Sequence, residues 1–173
     1  MKKRMLCLFL SAILLLGLIP VTSLRASADD EMAISQEAID VLKKFEGFHP
    51  NRYWDYQHYS IGYGTYWKEG MPITITESQA EEYLRKSVGG MEVELRKFIA
   101  KNKLELKQHQ YDALTLFTYN FGAGWLAGGG DLVQSVINGD TGNDFIYQMA
   151  RWCRAGEPLK VLPGLLERRL CEA

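Results

Sequence analysis

Two carboxylates and a hydroxyl stand close together in an aromatic stretch of the chain, Phe45 to Gly64. Glu46 is followed nine positions later by Asp55, and Ser60 comes five positions after that. Hydrolysis of a glycosidic bond uses two carboxyl groups, one to protonate the leaving oxygen and one to activate water or attack the sugar. The stretch is therefore a candidate site for cleavage of a sugar bond.

A helix must position Glu46, and the residues before it predict one. Apolar side chains recur at helical spacing from Ile34 to Phe45. Ser35 is a suitable N-cap, and Gly47 is a suitable C-terminal stop. Glu46 would then lie in the last helical turn, beside apolar neighbours, which suits a general acid.

A small sheet must position Asp55 and Ser60. The segment from Tyr53 to Trp67 is rich in aromatic residues and is interrupted by glycines. It predicts a small twisted β-hairpin or a three-stranded sheet. Residues 72–75 predict one more short extended piece.

The rest of the chain is predicted to be mainly helical. Thr76 and Gln79 form a capping box, and Gly89–Gly90 allows either one long helix or a broken pair after it. Residues 108–120 predict a core helix, and Asp131 is predicted to cap a later one. The charged side chains of the long helical region are expected to form a solvated face: Glu81, Glu82, Arg85, Lys86, Glu92, Arg96 and Lys97.

These motifs together resemble the phage-type lysozymes, glycoside hydrolase family 24. The family pattern is Glu-Gly at a helix end, then Tyr-x-Asp, then Thr-Ile-Gly-x-Gly on a hairpin. Glu46–Gly47, Tyr53–Asp55 and Ser60–Gly64 match it in order. Two departures are that Ser60 replaces the usual Thr, and that the turn after Asp55 is one residue shorter and lacks its usual Gly.

Two later segments extend the resemblance over most of the chain after Ile34. Tyr119–Gly122 resembles the family's aromatic-Asn-x-Gly segment, which lines the cleft. Gly164–Arg169 resembles its Gly-Leu-x-x-Arg-Arg signature, in which the first Arg supports the catalytic Glu. The readings that Asn120 only caps a helix end, and that Arg168 belongs to a surface pair, remain open at this point.

The resemblance implies an α+β, mainly helical fold, with a small β-hairpin lobe and a helical C-terminal lobe flanking a cleft. It implies cleavage of the β-1,4 bond between N-acetylmuramic acid and N-acetylglucosamine in bacterial peptidoglycan. Glu46 would be the general acid, Asp55 and Ser60 would hold water in an inverting reaction, and Arg168 would support Glu46. Tyr53, Tyr119 and Asn120 would contact the sugar.

Two other functions are compatible with parts of this pattern. A lytic transglycosylase would need the Glu but neither Asp55 nor Ser60, and it would release 1,6-anhydro sugars. A non-catalytic wall-binding module could lose the Glu or the Asp, yet both are present. No cofactor is required for either enzymatic route, and His49 and His58 lack a third ligand at metal-binding spacing, so we expect no metal.

The first 28 residues have the pattern of a secretory signal peptide. A basic start, Lys2–Arg4, precedes an apolar run and a small-residue cleavage site at Ala26–Ala28. Residues 29–173 would then be the lysozyme-like catalytic domain, secreted to the cell exterior or cell wall, with membrane contact only through the signal peptide. An uncleaved membrane anchor is the alternative reading of this segment.

The mature chain is expected to be acidic. Four of the 20 Lys and Arg residues lie in the leader, so 16 remain against 21 Asp and Glu, a net charge of −5. Nucleic acid is therefore not an expected partner, and long-range attraction to an anionic wall should be weak. We expect a monomer.

Two cysteines remain after the leader, Cys153 and Cys171. In an exported chain they invite a disulfide, while two buried thiols in the C-terminal helices are the alternative. The chain stops just past the Arg-Arg signature, where a few more helical residues are expected, so the sequence is either naturally short or truncated.

Overall fold

The computed structural model describes residues 31–173. The predicted signal peptide and its anchor alternative lie outside the described residues. Within residues 31–173, no helix is long and apolar enough to cross a membrane.

The first helix, α1 (Gln36–Glu46), ends at the predicted carboxylate. The Ser35 side chain accepts a hydrogen bond from the Ala38 N–H, and the Gly47 N–H donates to the Lys43 carbonyl. Gly47 has φ of +70°, a conformation that glycine adopts without steric cost. The prediction of a helix that ends at Glu46 is confirmed.

Three antiparallel strands follow in the order β1 (His49–Asp55), β2 (His58–Gly62) and β3 (Thr65–Tyr66). Tyr53 pairs with Ser60 across β1 and β2, and Asp55 pairs with His58. Because paired residues point to the same face, Tyr53 and Ser60 are brought together. Residues 72–75 run extended beside β1, as predicted, through backbone bonds to Pro50 and Arg52.

The helix α2 (Glu77–Asn102) is continuous through Gly89 and Gly90. The capping box of Thr76 and Gln79 is present as predicted. The prediction that all these charged side chains are solvated is wrong for Glu92. This side chain is buried and accepts hydrogen bonds from the Ile34 N–H and the Tyr111 hydroxyl. A buried carboxylate needs such donors, and they come from elements remote in sequence.

The C-terminal region is helical, with one short ribbon. The core helix α3 (Gln108–Phe121) is confirmed, and a 3₁₀ turn (Ala123–Ala127) follows it. The remaining elements are α4 (Asp131–Asn138), α5 (Asn143–Ala150), β4 (Arg154–Ala155), β5 (Lys160–Val161) and α6 (Pro163–Glu172). The Asp131 cap was predicted wrongly, because Gly130 holds the N-cap position and Asp131 is the first helical residue. The sequence reading missed the β4–β5 pair.

Two apolar clusters form the core, one under the sheet and one among the C-terminal helices. The first includes Ile39, Leu42, Ile61, Ala80 and Leu84, and the second Leu95, Tyr111, Phe117, Leu132 and Met149. Because α2 contributes to both clusters, it connects the β lobe to the helical lobe. The predicted α+β, mainly helical fold is confirmed.

The two cysteines are free thiols in the structure. Cys153 is buried and Cys171 is exposed. The expected alternative of two buried thiols in the C-terminal helices is therefore only partly right: the two cysteines are unpaired, but Cys171 is exposed, and Cys153 lies between α5 and β4 rather than in a helix.

Gly62 provides a test of the packing between sheet and helix. Its φ is +68°, and a Cβ added there would lie 2.9 Å from the Ala80 Cβ. We expect Gly62→Ala to lower the free energy of unfolding by about 2–4 kcal/mol, since strain and overpacking add. Denaturant unfolding measures this.

Gly70→Ala is the matched control, because Gly70 has φ of +90° but open space around it. We expect this variant to lose only about 1 kcal/mol, from backbone strain alone. Equal losses in the two variants would contradict the packing argument.

Candidate active site

Glu46 is joined to the C-terminal helix by an ion pair. Arg168 Nη1 donates to Glu46 Oε1 at 2.8 Å, although the two residues lie 122 positions apart. The Arg168 side chain is 7% exposed and that of Glu46 is 23% exposed. Glu46 Oε2 faces Gly64, whose added Cβ would lie 3.7 Å from it. The Arg168–Glu46 contact that the resemblance implied is present.

Asp55 and Ser60 meet near the turn of the hairpin that joins β1 to β2. Ser60 Oγ lies 3.5 Å from Asp55 Oδ2, which is long for a direct hydrogen bond. Ser60 is fully buried, whereas Asp55 is half-buried. Both groups thus keep capacity to share a water molecule.

The Tyr53 hydroxyl lies within electrostatic range of both Asp55 and Glu46. Burial raises the pKa of the Tyr53 hydroxyl, and the negative charges of Asp55 and Glu46 raise it further. A hydrogen bond with the Ser60 side chain acts in the opposite direction. Tyr53 is therefore within the field of both predicted catalytic groups.

Tyr119 approaches the same group of side chains from α3. Its hydroxyl lies 3.5 Å from the Tyr63 carbonyl on the hairpin. Burial raises the pKa of Tyr119 to about 12, with a further contribution from Glu46 that Arg168 opposes. Four elements, α1, the sheet, α3 and α6, thus converge on one site.

Asn120 lies at this site but contacts an arginine. Its side chain is exposed, and its Oδ1 accepts a hydrogen bond from Arg169 Nη2. The cap of α3 is instead Gly122, whose N–H donates to the Thr118 carbonyl. Asn120 therefore does not cap α3, and its side chain instead links α3 to α6.

The shortened turn after Asp55 consists of Tyr56 and Gln57. The Gln57 N–H bonds back to the Asp55 carbonyl, and Tyr56 has φ of +51°. This is a γ-turn that a non-glycine residue adopts at a cost. The tight turn keeps Asp55 paired with His58, so the missing Gly does not displace Asp55 from the strand end.

Arg168, Arg169 and Glu172 form a cluster of buried charged side chains on α6. The sequence alone did not predict that Arg169 and Glu172 belong to the site. Arg168 and Glu172 stand four residues apart on α6, a spacing that places them on one helical face. That spacing was the available signal. It could not show that the face is buried, because burial depends on packing against α3 and α5.

Two further features of the described chain lie apart from the predicted site residues or are absent from it. Residues 31–173 contain no group of three or more His, Cys, Asp or Glu side chains that could hold a metal ion. A cavity of about 530 Å³ lies among the ends of α2, α3 and α4, and none of the predicted site residues lines it.

The fold and this arrangement define a lysozyme-like domain. The phage lysozyme family model matches residues 43–172, and the chain belongs to that family. It is 35% identical over 145 residues to an endolysin of Bacillus phage PZA, covering 82% of this chain and 54% of the relative. The chain spans about half the length of the Bacillus phage endolysins that it matches.

Solved structures show the same fold. The muramidase domain of SpmX from Asticaccaulis excentricus superposes with a TM-score of 0.72 at 25% identity, covering 82% of this chain and 95% of that one. An endolysin from Escherichia coli O157:H7 phage FAHEc1 gives a TM-score of 0.71 at 29% identity, covering 82% and 90%.

The raised pKa of Tyr119 predicts how stability depends on pH. An unfolded tyrosine ionises near pH 10, while folded Tyr119 keeps its proton to about pH 12. The native state therefore binds more protons than the unfolded state in this interval, and stability falls as pH rises through it. We expect this residue to account for a loss of up to about 2 kcal/mol.

Tyr119→Phe measures that contribution, because it removes the hydroxyl and keeps the ring. Urea unfolding between pH 10 and 12 should show a shallower loss of stability in the variant than in the parent. Parallel curves would contradict the burial of an un-ionised hydroxyl next to Glu46.

Proposed function

We propose that this protein is a muramidase that hydrolyses the β-1,4 bond between N-acetylmuramic acid and N-acetylglucosamine in bacterial peptidoglycan. The observation that carries the proposal is that Glu46, held by Arg168, and Asp55, beside Ser60, both act on the Tyr53 hydroxyl. Membership of the phage lysozyme family supports the substrate class.

Glu46 is the general acid in this proposal. Because Arg168 donates to Oε1, that oxygen is occupied as an acceptor, and the transferable proton is placed on Oε2. Oε2 lies beside Gly64, where the absence of a Cβ lets a sugar ring approach. Proton transfer from Oε2 to the glycosidic oxygen releases the leaving sugar.

Asp55 and Ser60 hold the attacking water. Asp55 accepts its proton, while Ser60, which pairs with Tyr53 across the hairpin, orients the water. An inverting reaction of this kind uses carboxyl groups about 6.5–9.5 Å apart, with room for water between them. Tyr53, Tyr119 and the Asn120 side chain contact the glycan, and no cofactor takes part.

The proposal includes secretion of the protein. The leader pattern in residues 1–28 supports export, which would bring the enzyme to its wall substrate. The protein would act there as a monomer on peptidoglycan.

Digestion of purified peptidoglycan, followed by mass spectrometry of the products, tests the reaction. We expect reducing N-acetylmuramic acid ends, formed as the α-anomer when fresh products are followed by NMR. Anhydro ends would assign a transglycosylase instead. A folded protein that releases no fragments from susceptible walls would overturn the proposal.

Glu46→Gln tests the acid. The amide has no acidic proton to transfer, so we expect activity to fall at least about 100-fold while the fold and wall binding persist. Glu37→Gln is the control, since Glu37 is an exposed carboxylate in the first turn of the same helix and should leave the rate unchanged. A near-normal rate for Glu46→Gln would remove Glu46 from the mechanism.

A further inference from the structure

The helix α6 buries three charged side chains on one face. Arg168 is 6% exposed, Arg169 is fully buried and Glu172 is 3% exposed. Removing charges from water is costly unless each is paired with good geometry. The burial of these three side chains therefore depends on ion pairs among them, and Arg168 also pairs with Glu46.

Glu172 lies between the two arginines. Its Oε1 accepts from Arg168 Nε at 2.8 Å, and its Oε2 lies 2.9 Å from Arg169 Nη1, an ion-pair contact without hydrogen-bond alignment. Burial raises the pKa of the Glu172 carboxyl, while both arginines act in the opposite direction and Glu46 adds to the rise. Glu172 thus interacts with Glu46 across the intervening guanidinium.

The Arg168 guanidinium is held on several sides. Nη1 donates to Glu46, Nε donates to Glu172, and the Phe45 ring centre lies 5.3 Å from its central carbon. Its remaining nitrogen, Nη2, is buried without a hydrogen-bond partner in the described part of the chain. Loss of Glu172 would therefore leave Glu46 as the only hydrogen-bonded partner of Arg168 within residues 31–173.

We propose that Glu172 is a positioning residue for the reaction: it holds Arg168 by Nε so that Nη1 keeps Glu46 Oε1 in place and Oε2 turned towards the substrate. This inference rests on the proposed muramidase function. Arg169 and its bond to Asn120 fix the other side of Glu172 and tie the cluster to α3.

The charge of Glu172 has a second effect. With Arg168, Arg169 and Glu46, it makes a cluster of two positive and two negative groups, which Tyr119 faces from α3 and Tyr53 from β1. Neutralising Glu172 would leave excess positive charge in the cluster, and positive charge favours the deprotonated form of nearby acids. The alkaline limb of the pH–activity profile should then move to lower pH.

Glu172→Gln, assayed on soluble uncrosslinked glycan strands, tests the inference. The amide of Gln still offers one acceptor to Arg168 Nε but lacks the charge that holds the two arginines, so Arg168 and the acid should be held less firmly while glycan contacts remain. We therefore expect kcat to fall about tenfold with KM within about twofold. The alkaline limb should shift to lower pH. In an Arg168→Lys background, Glu172→Gln should have almost no further effect, since lysine lacks the Nε–H that Glu172 holds.

Glu92→Gln is the matched control. Glu92 is also a buried carboxylate with hydrogen-bond donors, but it lies away from the site on α2. It should lower thermal stability and leave both kcat and the pH profile unchanged. If Glu172→Gln does not fold, Glu172→Asp, which keeps the charge and shortens the reach to Arg168, should reduce kcat without the pH shift.

The outcomes separate the two proposals. An active parent enzyme with unchanged kcat and pH profile in Glu172→Gln would overturn the positioning role alone. Additive losses in the Arg168→Lys background would also overturn it. A parent enzyme that cleaves no glycan would overturn the muramidase function, and the positioning role with it.

Discussion

The ion pair between Glu46 and Arg168 is the contact on which the site depends. It joins the end of the first helix to the last helix across 122 positions of sequence. A helix end supplies the carboxyl, and a buried arginine fixes its orientation. The same contact forms because α6 packs against α3 and α5 with its charged face buried.

The hairpin supplies the other half of the site through backbone geometry. The pairing of Tyr53 with Ser60 places a hydroxyl beside Asp55, and a two-residue turn keeps Asp55 at the strand end. Gly62 lets β2 approach α2 more closely than a residue with a Cβ could. Packing between the sheet and α2 therefore determines where the Asp55–Ser60 pair stands relative to Glu46.

Besides the two predicted catalytic carboxylates, the domain buries several charged side chains through contacts between distant segments. Two arginines and Glu172 form a buried cluster behind Glu46, and Glu92 forms another polar contact inside the helical lobe. Buried charges of this kind contribute less to stability than apolar side chains of the same size would. In the proposed mechanism, the cluster behind Glu46 fixes the orientation of that carboxyl.

The sequence by itself determined the local elements: the helix that ends at Glu46, the hairpin with Asp55 and Ser60, the Thr76 capping box and the core helix α3. These follow from periodicity, caps and glycines, which act over a few residues. Only the tertiary structure decided that Glu92, Arg169 and Glu172 are buried, that Asn120 binds Arg169 and that β4 pairs with β5. Burial and pairing depend on contacts between distant segments, and a charged residue at helical spacing looks the same in sequence whether its face meets water or another helix.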